Sequence, residues 1–420
     1  MPLSRREFLL GGLGAGAAGA AGLVLSRSTS SGPRPAPIVG ATDVVTVAGT
    51  GAKDGILVLL TLYGGNDGLN TLIPYEDGGY LGGRRSLGYQ PQEVLALSDG
   101  LALHPNLKGL KSLWDAKRLA VVRGVGYPNP NRSHFRSMDI WQSAVPDDSV
   151  ATGWIGRWLD VTGTDPLRAL SVGGSLPRIF GGEKAAGAAV PVGALTIPGG
   201  AAVQSGFQAL SMPTPGSSPL AARVSQSGAD LLTVDHAIAD MVAGQPTDQE
   251  AGSTAPLEGS GAGNALAGQL DLVARLIKAG SPTRVYGVSL GGFDTHANEK
   301  DTHARLMGYL DEAVSGFFTH LAGSPQEGRV VLTAYSEFGR RVAANGSNGT
   351  DHGTAAPVFV AGAGVKGGFY GDEPSLTDLD DGDLKFTTDF RSVYATLLQD
   401  VIGIDAKASL GKAFTAVPFL

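Results

Sequence analysis

Five short segments set Asp, Glu, His or Ser among glycines and asparagines: Gly64-Gly65-Asn66-Asp67-Gly68, Asn131-Arg132-Ser133-His134-Phe135, Gly291-Gly292-Phe293-Asp294-Thr295-His296, Ser336-Glu337-Phe338-Gly339 and Gly349-Thr350-Asp351-His352-Gly353-Thr354. Each lies beside an apolar run. Carboxylate and imidazole groups scattered in this way suit a hydrolytic centre organised by a divalent ion, because carboxylate oxygens and imidazole nitrogens are the ordinary ligands of Zn, Mn or Ca. The same residues suit a nucleotide-binding loop poorly. No Walker or dinucleotide fingerprint is present.

Each candidate also has a plainer reading. Asp67, with Asn66 before it, is either a metal ligand or a solvated turn residue, since Asn and Asp beside glycine are common turn formers. Ser133 is either a helix N-cap or a nucleophile, and the same helix end would stabilise an alkoxide or a bound anion. His134 is a ligand, an acid or a loop cap, and Arg132 and Arg136 are candidate contacts for an anionic substrate. Asp294 and His296, two apart in an extended segment, point to the same side and can face one ion. His303 stands at the start of the next helix as a supporting residue. Glu337 ends a strand and is a candidate ligand. Of the adjacent Asp351 and His352, which diverge in a strand, one is expected to ligate and the other to orient a neighbour. His104, His236 and His320 have no such company and are read as structural.

These side chains need a frame that gathers distant positions at one place. Past residue 50 the chain alternates apolar strand-like runs with amphipathic helical segments. Ile56 to Leu62 is a continuous apolar run, as expected of a strand covered on both faces. Leu107, Leu110, Leu113 and Trp114 are at helical spacing, and Leu119 to Val122 is the next strand. A helix over 264–279 precedes a strand at 284–288, a helix from His303 to Leu321 and a strand at 330–334. Pro357 to Val360 is another strand, and a helix over 390–402 closes the series. This alternation implies an α/β three-layer sandwich with a mostly parallel central sheet and helices on both faces. In such sheets ligands gather beyond the carboxyl ends of the strands, where Asp67, Asp294 and Glu337 each fall. Residues 180–262, rich in Ala, Gly, Ser and Pro, break the rhythm and read as a variable insertion in a single domain over 46–420.

Composition narrows the function classes. The 420 residues include 63 glycines and 17% charged residues, the profile of a loop-rich globular protein. A net charge of −7 and no basic stripe with interleaved aromatics argue against nucleic acid as a partner. The absence of cysteine excludes disulfides, thiolate metal sites and cysteine nucleophiles. Ser4-Arg5-Arg6-Glu7-Phe8-Leu9-Leu10, followed by a Gly/Ala stretch and a Ser/Pro-rich tail, matches a twin-arginine export signal, with residues 1–45 as signal peptide and linker. That route implies the twin-arginine translocase as a transient partner and a periplasmic, cell-envelope or extracellular destination. A metal-free serine esterase is the rival mechanism.

The ordered series GGNDGLN, NRSHF, GGFDTH, SEFGR and TDHGT, over about residues 54–403, resembles a family of twin-arginine-exported bacterial proteins of unknown function grouped with the alkaline phosphatase and sulfatase superfamily. The resemblance implies an alkaline-phosphatase-like fold, one or two metal ions at the carboxyl edge of the sheet and a transiently esterified Ser or Thr. By position it implies Asp67 as the first strand-end ligand, Ser133 as nucleophile, Asp294, His296 and His352 as ligands, and Glu337 as the second metal's carboxylate. Two departures stand out. Phe338 occupies the place of an expected histidine, and Asp294-x-His296 is tighter than the usual spacing. The expected activity is an exported metal-dependent hydrolase of phosphate or sulfate esters, acting on a small-molecule or polymer-borne anionic ester. The alternative is a non-catalytic binding or assembly protein of the cell envelope that keeps the fold.

Overall fold

In the computed structural model the described residues are 54–146, 150–193, 195, 199–212, 214–243 and 264–420. The export signal expected at residues 1–45 lies outside them. Among the described residues no helix is long and apolar enough to cross a membrane.

The central sheet is built from β1 (Ile56–Leu62), β2 (Leu119–Gly126), β3 (Ala169–Val172), β4 (Ala188–Val190), β5 (Val285–Leu290) and β6 (Val330–Tyr335), followed by a separate ribbon of β7 (Arg340–Ala344) and β8 (Thr350–His352). The sheet is completed by β9 (Ala356–Gly362), β10 (Gly368–Tyr370) and β11 (Thr388–Asp389). Its nine strands run in the order β10-β2-β9-β6-β1-β5-β3-β4, with β11 paired alongside β2. Every pairing is parallel except those of β9, which lies antiparallel between β2 and β6. The mostly parallel sheet expected from the alternation is therefore present.

The helices used below are α1 (Gly68–Thr71), α2 (Gly78–Arg84), α3 (Lys108–Asp115), α4 (His134–Ser143), α5 (Trp154–Thr162), α6 (Ala201–Leu210), α7 (Pro219–Val242), α8 (Ala265–Lys278), α9 (Glu299–Leu321) and α10 (Phe390–Thr396). The period-two alternation of a strand divides β1 between two cores. Ile56, Val58 and Leu60 join Leu110 and Trp114 of α3, Leu270 and Val273 of α8 and Leu310 and Phe317 of α9. Leu57 and Leu59 join Trp141 of α4, Trp154 and Trp158 of α5 and Val393 and Tyr394 of α10 on the opposite face. That division makes three layers, and explains why the run is apolar on both faces but for Thr61.

Helix boundaries follow their caps. Asn264 accepts from the Ala267 N–H at the start of α8. α9 begins four residues earlier than its apolar spacing predicts, at Glu299, with Glu299 and Asp301 in the first turn, where the helix dipole favours acidic groups. The stretch read as an insertion holds α6 and α7, and it also adds β4 to the edge of the sheet beside β3.

Candidate metal centre

The loops that leave β1, β5 and β6 meet at the carboxyl edge of the sheet. The first turns sharply at Gly64 and Gly65, with φ of 113° and 70°. Glycine is required twice over: a Cβ on Gly64 would lie 2.5 Å from the Asp294 nitrogen, and one on Gly65 would lie 2.3 Å from the Phe338 ring. Arg340, 1% exposed, ties the loops together. Its guanidinium donates to the carbonyls of Gly65 (2.7 Å), Gly64 (2.5 Å), Thr350 (2.8 Å) and Phe293 (3.0 Å), and to Asp294 Oδ1 (2.8 Å).

Asp294 Oδ1 is the point of convergence. His352 Nε2 and His296 Nε2 lie 3.0 Å from it, and His134 Nε2 lies 3.4 Å away. His296 Nε2 is also 2.9 Å from His352 Nε2. One ligand atom each from His134, Asp294 and His352 falls within 4.8 Å of the others, and His296 stands at the edge of that group. Asp294 is half-exposed, so the cluster opens to solvent on one side.

The far nitrogens decide what the cluster can hold. His134 Nδ1 lies 2.8 Å from Glu337 Oε1, His352 Nδ1 lies 2.8 Å from the Arg132 carbonyl, and His296 Nδ1 lies 3.3 Å from Asp351 Oδ1. All three partners are acceptors when the carboxyls are ionised, so each Nδ1 carries a proton and each Nε2 of a neutral ring presents a lone pair inward. Three lone pairs and a carboxylate then face one another, and His134 Nε2 is buried without a hydrogen-bond partner. Such a donor set suits a divalent cation, with its imidazoles oriented from behind by hydrogen-bond acceptors.

The local field is mixed. The hydrogen bond and charge of Glu337 raise the pKa of His134 above the ordinary imidazole value. Burial lowers that of His352, against the opposing pull of Asp294. Burial would raise Asp294, but the hydrogen bond and charge of Arg340 outweigh it and hold the carboxyl well below the usual range.

Other candidates stand elsewhere. Asp67 is fully buried, caps α1 by accepting from the Leu69 N–H, and pairs with Arg84 at 2.5 Å. It belongs to a second polar cluster under the loops rather than to the convergence on Asp294. Asn66 Oδ1 meets His303 Nε2 at 3.0 Å there, and burial pushes His303 down to about 4, leaving it neutral. Glu299 joins them; burial and then the Asp67 charge push it up to about 9, so it is a neutral acid whose proton Asp67 shares. Glu337, read as a ligand, is buried behind His134 and also accepts from the Gly64 N–H (2.9 Å) and Ser336 Oγ (3.0 Å). Asp351 likewise lies behind His296. His134, read as catalytic, is inside the cluster.

Ser133 caps α4 by position, with no side-chain cap bond, and is exposed. Arg132 pairs with Asp383, and Arg136 donates to the Pro146 carbonyl (2.7 Å), so neither guanidinium is held free for an anion. Phe338 packs its ring 4.9 Å from those of His134 and His352, forming an apolar wall where a further ligand was expected. Arg340, Arg84 and Glu299 carried no role in the sequence. Arg340 sits inside the SEFGR motif, and that motif was the one signal that marked it.

The fold and cluster define a three-layer α/β protein with a candidate mononuclear metal centre at the carboxyl edge of its sheet. The chain belongs to the family described as "Protein of unknown function (DUF1501)", which it matches over residues 55–413. A comparison with curated proteins found no match. Among solved structures it is similar to a protein in the alkaline phosphatase superfamily from Vibrio parahaemolyticus, with 13% identity, a TM-score of 0.40 and coverage of 86% of this chain and 71% of that one. It is also similar to the C-terminal periplasmic domain of EcEptC from Escherichia coli, at 13% identity and a TM-score of 0.37, covering 84% and 83% of the two chains. A third is a phosphonate monoester hydrolase from Silicibacter pomeroyi, at 10% identity and a TM-score of 0.30, covering 76% and 69%.

Proposed function

We propose that the chain is an exported, metal-dependent hydrolase of phosphate or sulfate esters. The observation that carries this reading is the inward convergence of His134, His296 and His352 on Asp294, with each outer nitrogen held by an acceptor. His134, Asp294 and His352 would hold one ion, with His296 beside them. Nitrogen-rich donors favour zinc or a similar transition ion over Ca. When bound, such an ion polarises an ester oxygen and neutralises charge that develops on it.

The chain's own groups do the rest. Glu337, the Arg132 carbonyl and Asp351 fix the rings, and Arg340 holds the Asp294 carboxylate ionised. Ser133, exposed at the N-terminus of α4 and next to His134, supplies the nucleophilic oxygen. Its Oγ bonds to phosphorus or sulfur as the bond to the leaving alcohol breaks, and that alcohol takes up the serine proton. Water then cleaves the seryl ester, restoring the hydroxyl and releasing the inorganic anion. The half-exposed side of Asp294 leaves room for the substrate's anionic end, whether it is carried on a small molecule or a polymer. Turnover of aryl phosphates and aryl sulfates by the purified chain, abolished by chelation and restored by zinc, tests the proposal. Turnover unaffected by chelator would contradict it.

A further inference from the structure

A second cavity at the same edge of the sheet is chemically unlike the metal centre. It has a volume of about 150 Å³ and sits where the carboxyl ends of β1, β3, β5 and β6 come together. One water needs only ~15 Å³, so the space suits a small organic molecule. Its place in the topology is also particular. From β3 the chain continues outward to β4, whereas from β5 it passes through α9 and across β1 to β6. Neighbouring strands whose connections leave in opposite directions open a crevice at their carboxyl ends, the usual ligand position in an α/β sheet.

The lining carries no charged residue. Polar atoms come from Thr61, Tyr63, Tyr335, Ser171, Ser289 and Gln142, and the apolar floor includes Phe180, Leu59 and Val288. Several internal hydrogen bonds here are long. Thr61 Oγ1 donates to Tyr335 Oη at 3.1 Å, Ser171 Oγ to the Ser175 carbonyl at 3.3 Å, and Gln142 Nε2 to Tyr63 Oη at 3.5 Å. Hydroxyl bonds ordinarily lie near ~2.8 Å, so these groups keep capacity for another partner. Burial raises the Tyr63 phenol to about 12 and keeps it neutral.

We propose that this crevice binds a small uncharged polyhydroxylated molecule, a polyol or monosaccharide. Its hydroxyls would bond to Tyr63, Ser171 and Gln142 and its C–H face would rest on Phe180. An anionic ligand would find no counter-charge in the lining. The site is separate from the metal centre and does not depend on hydrolytic activity.

Ligand-observed NMR titration of the purified chain, with chelator present, uses glycerol, myo-inositol and glucose as probes and gluconate as the charged counterpart. Saturable binding of at least one neutral probe is expected, with no binding of gluconate. Ser171→Leu, which fills the crevice, and Tyr63→Phe, which removes one hydroxyl while keeping the ring, should each weaken that binding about tenfold or more. If the larger substitution prevents folding, the Tyr63→Phe arm alone reads the result. No saturable binding by any neutral probe, equal binding of gluconate, or unchanged affinity in a folded variant would overturn the proposal.

Discussion

His134 Nδ1 and Glu337 Oε1 are 2.8 Å apart, although 203 residues separate them in the chain, and this contact turns the other nitrogen of His134 toward Asp294. Glu337 is held in turn by the Gly64 N–H and the Ser336 hydroxyl, so the ring has little freedom to rotate. Carboxylates placed in this way typically change metal affinity by about 10–100-fold. Glu337→Gln should therefore weaken zinc binding by about that factor while leaving the fold intact, as a competition titration against a coloured chelator would report. Unchanged affinity would mean that the contact does not orient a ligand.

Arg340 satisfies four loop carbonyls and Asp294 from a fully buried position. Substitution by Met leaves those acceptors without a donor, and each buried unsatisfied group costs about 1–3 kcal/mol. A loss of about 3–5 kcal/mol is expected in urea unfolding. Lys, with one compact charge, should recover only part of it. Full recovery by Lys would show that charge alone, rather than the fork geometry, holds the loops.

Glu299 gives a pH dependence whose sign can be fixed. Its pKa is about 9 in the folded chain against an ordinary value of 4.5, so the unfolded chain releases the proton first. The stability this group contributes is fully present below 4.5 and is lost as pH rises through about 9. Glu299→Gln cannot ionise. Between about pH 5 and pH 9 the wild-type chain should lose at least ~1 kcal/mol relative to that variant in urea unfolding. Parallel curves for the two proteins would mean that Glu299 is ionised in the fold.

Ser133 is exposed and makes no cap bond, so its removal should leave structure and metal content alone. Ser133→Ala is expected to lower aryl ester turnover by about 100-fold or more with bound metal unchanged. A variant that keeps wild-type rates would move the nucleophile from Ser133 to water.

Much of the fold was legible because its causes are local. The run Ile56–Leu62, apolar but for Thr61, announced a strand with two covered faces, and it packs into two cores. The loop position of Asp294 followed from the strand that precedes it. The division of labour within the site did not follow. Whether His134 or Glu337 meets the ion depends on which way a ring turns, and that is set by a contact across 203 residues. Asp67 looked like Asp294 in its glycine-rich loop, but Arg84 reaches it from a helix whose sequence advertises only a surface arginine. Arg340 was obscured for the same reason: burial of a guanidinium is a property of the assembled loops, and neighbouring residues do not reveal it.

The central claim is that His134, Asp294, His296 and His352 form a cation site, and elemental analysis of the full 420-residue chain tests it most directly. Protein purified without added metal should carry about one equivalent of zinc or a similar transition ion. His352→Ala and Asp294→Ala should each lose it while remaining folded by circular dichroism. A wild-type chain free of metal that also fails to bind added zinc, or folded variants that retain the full equivalent, would contradict the account.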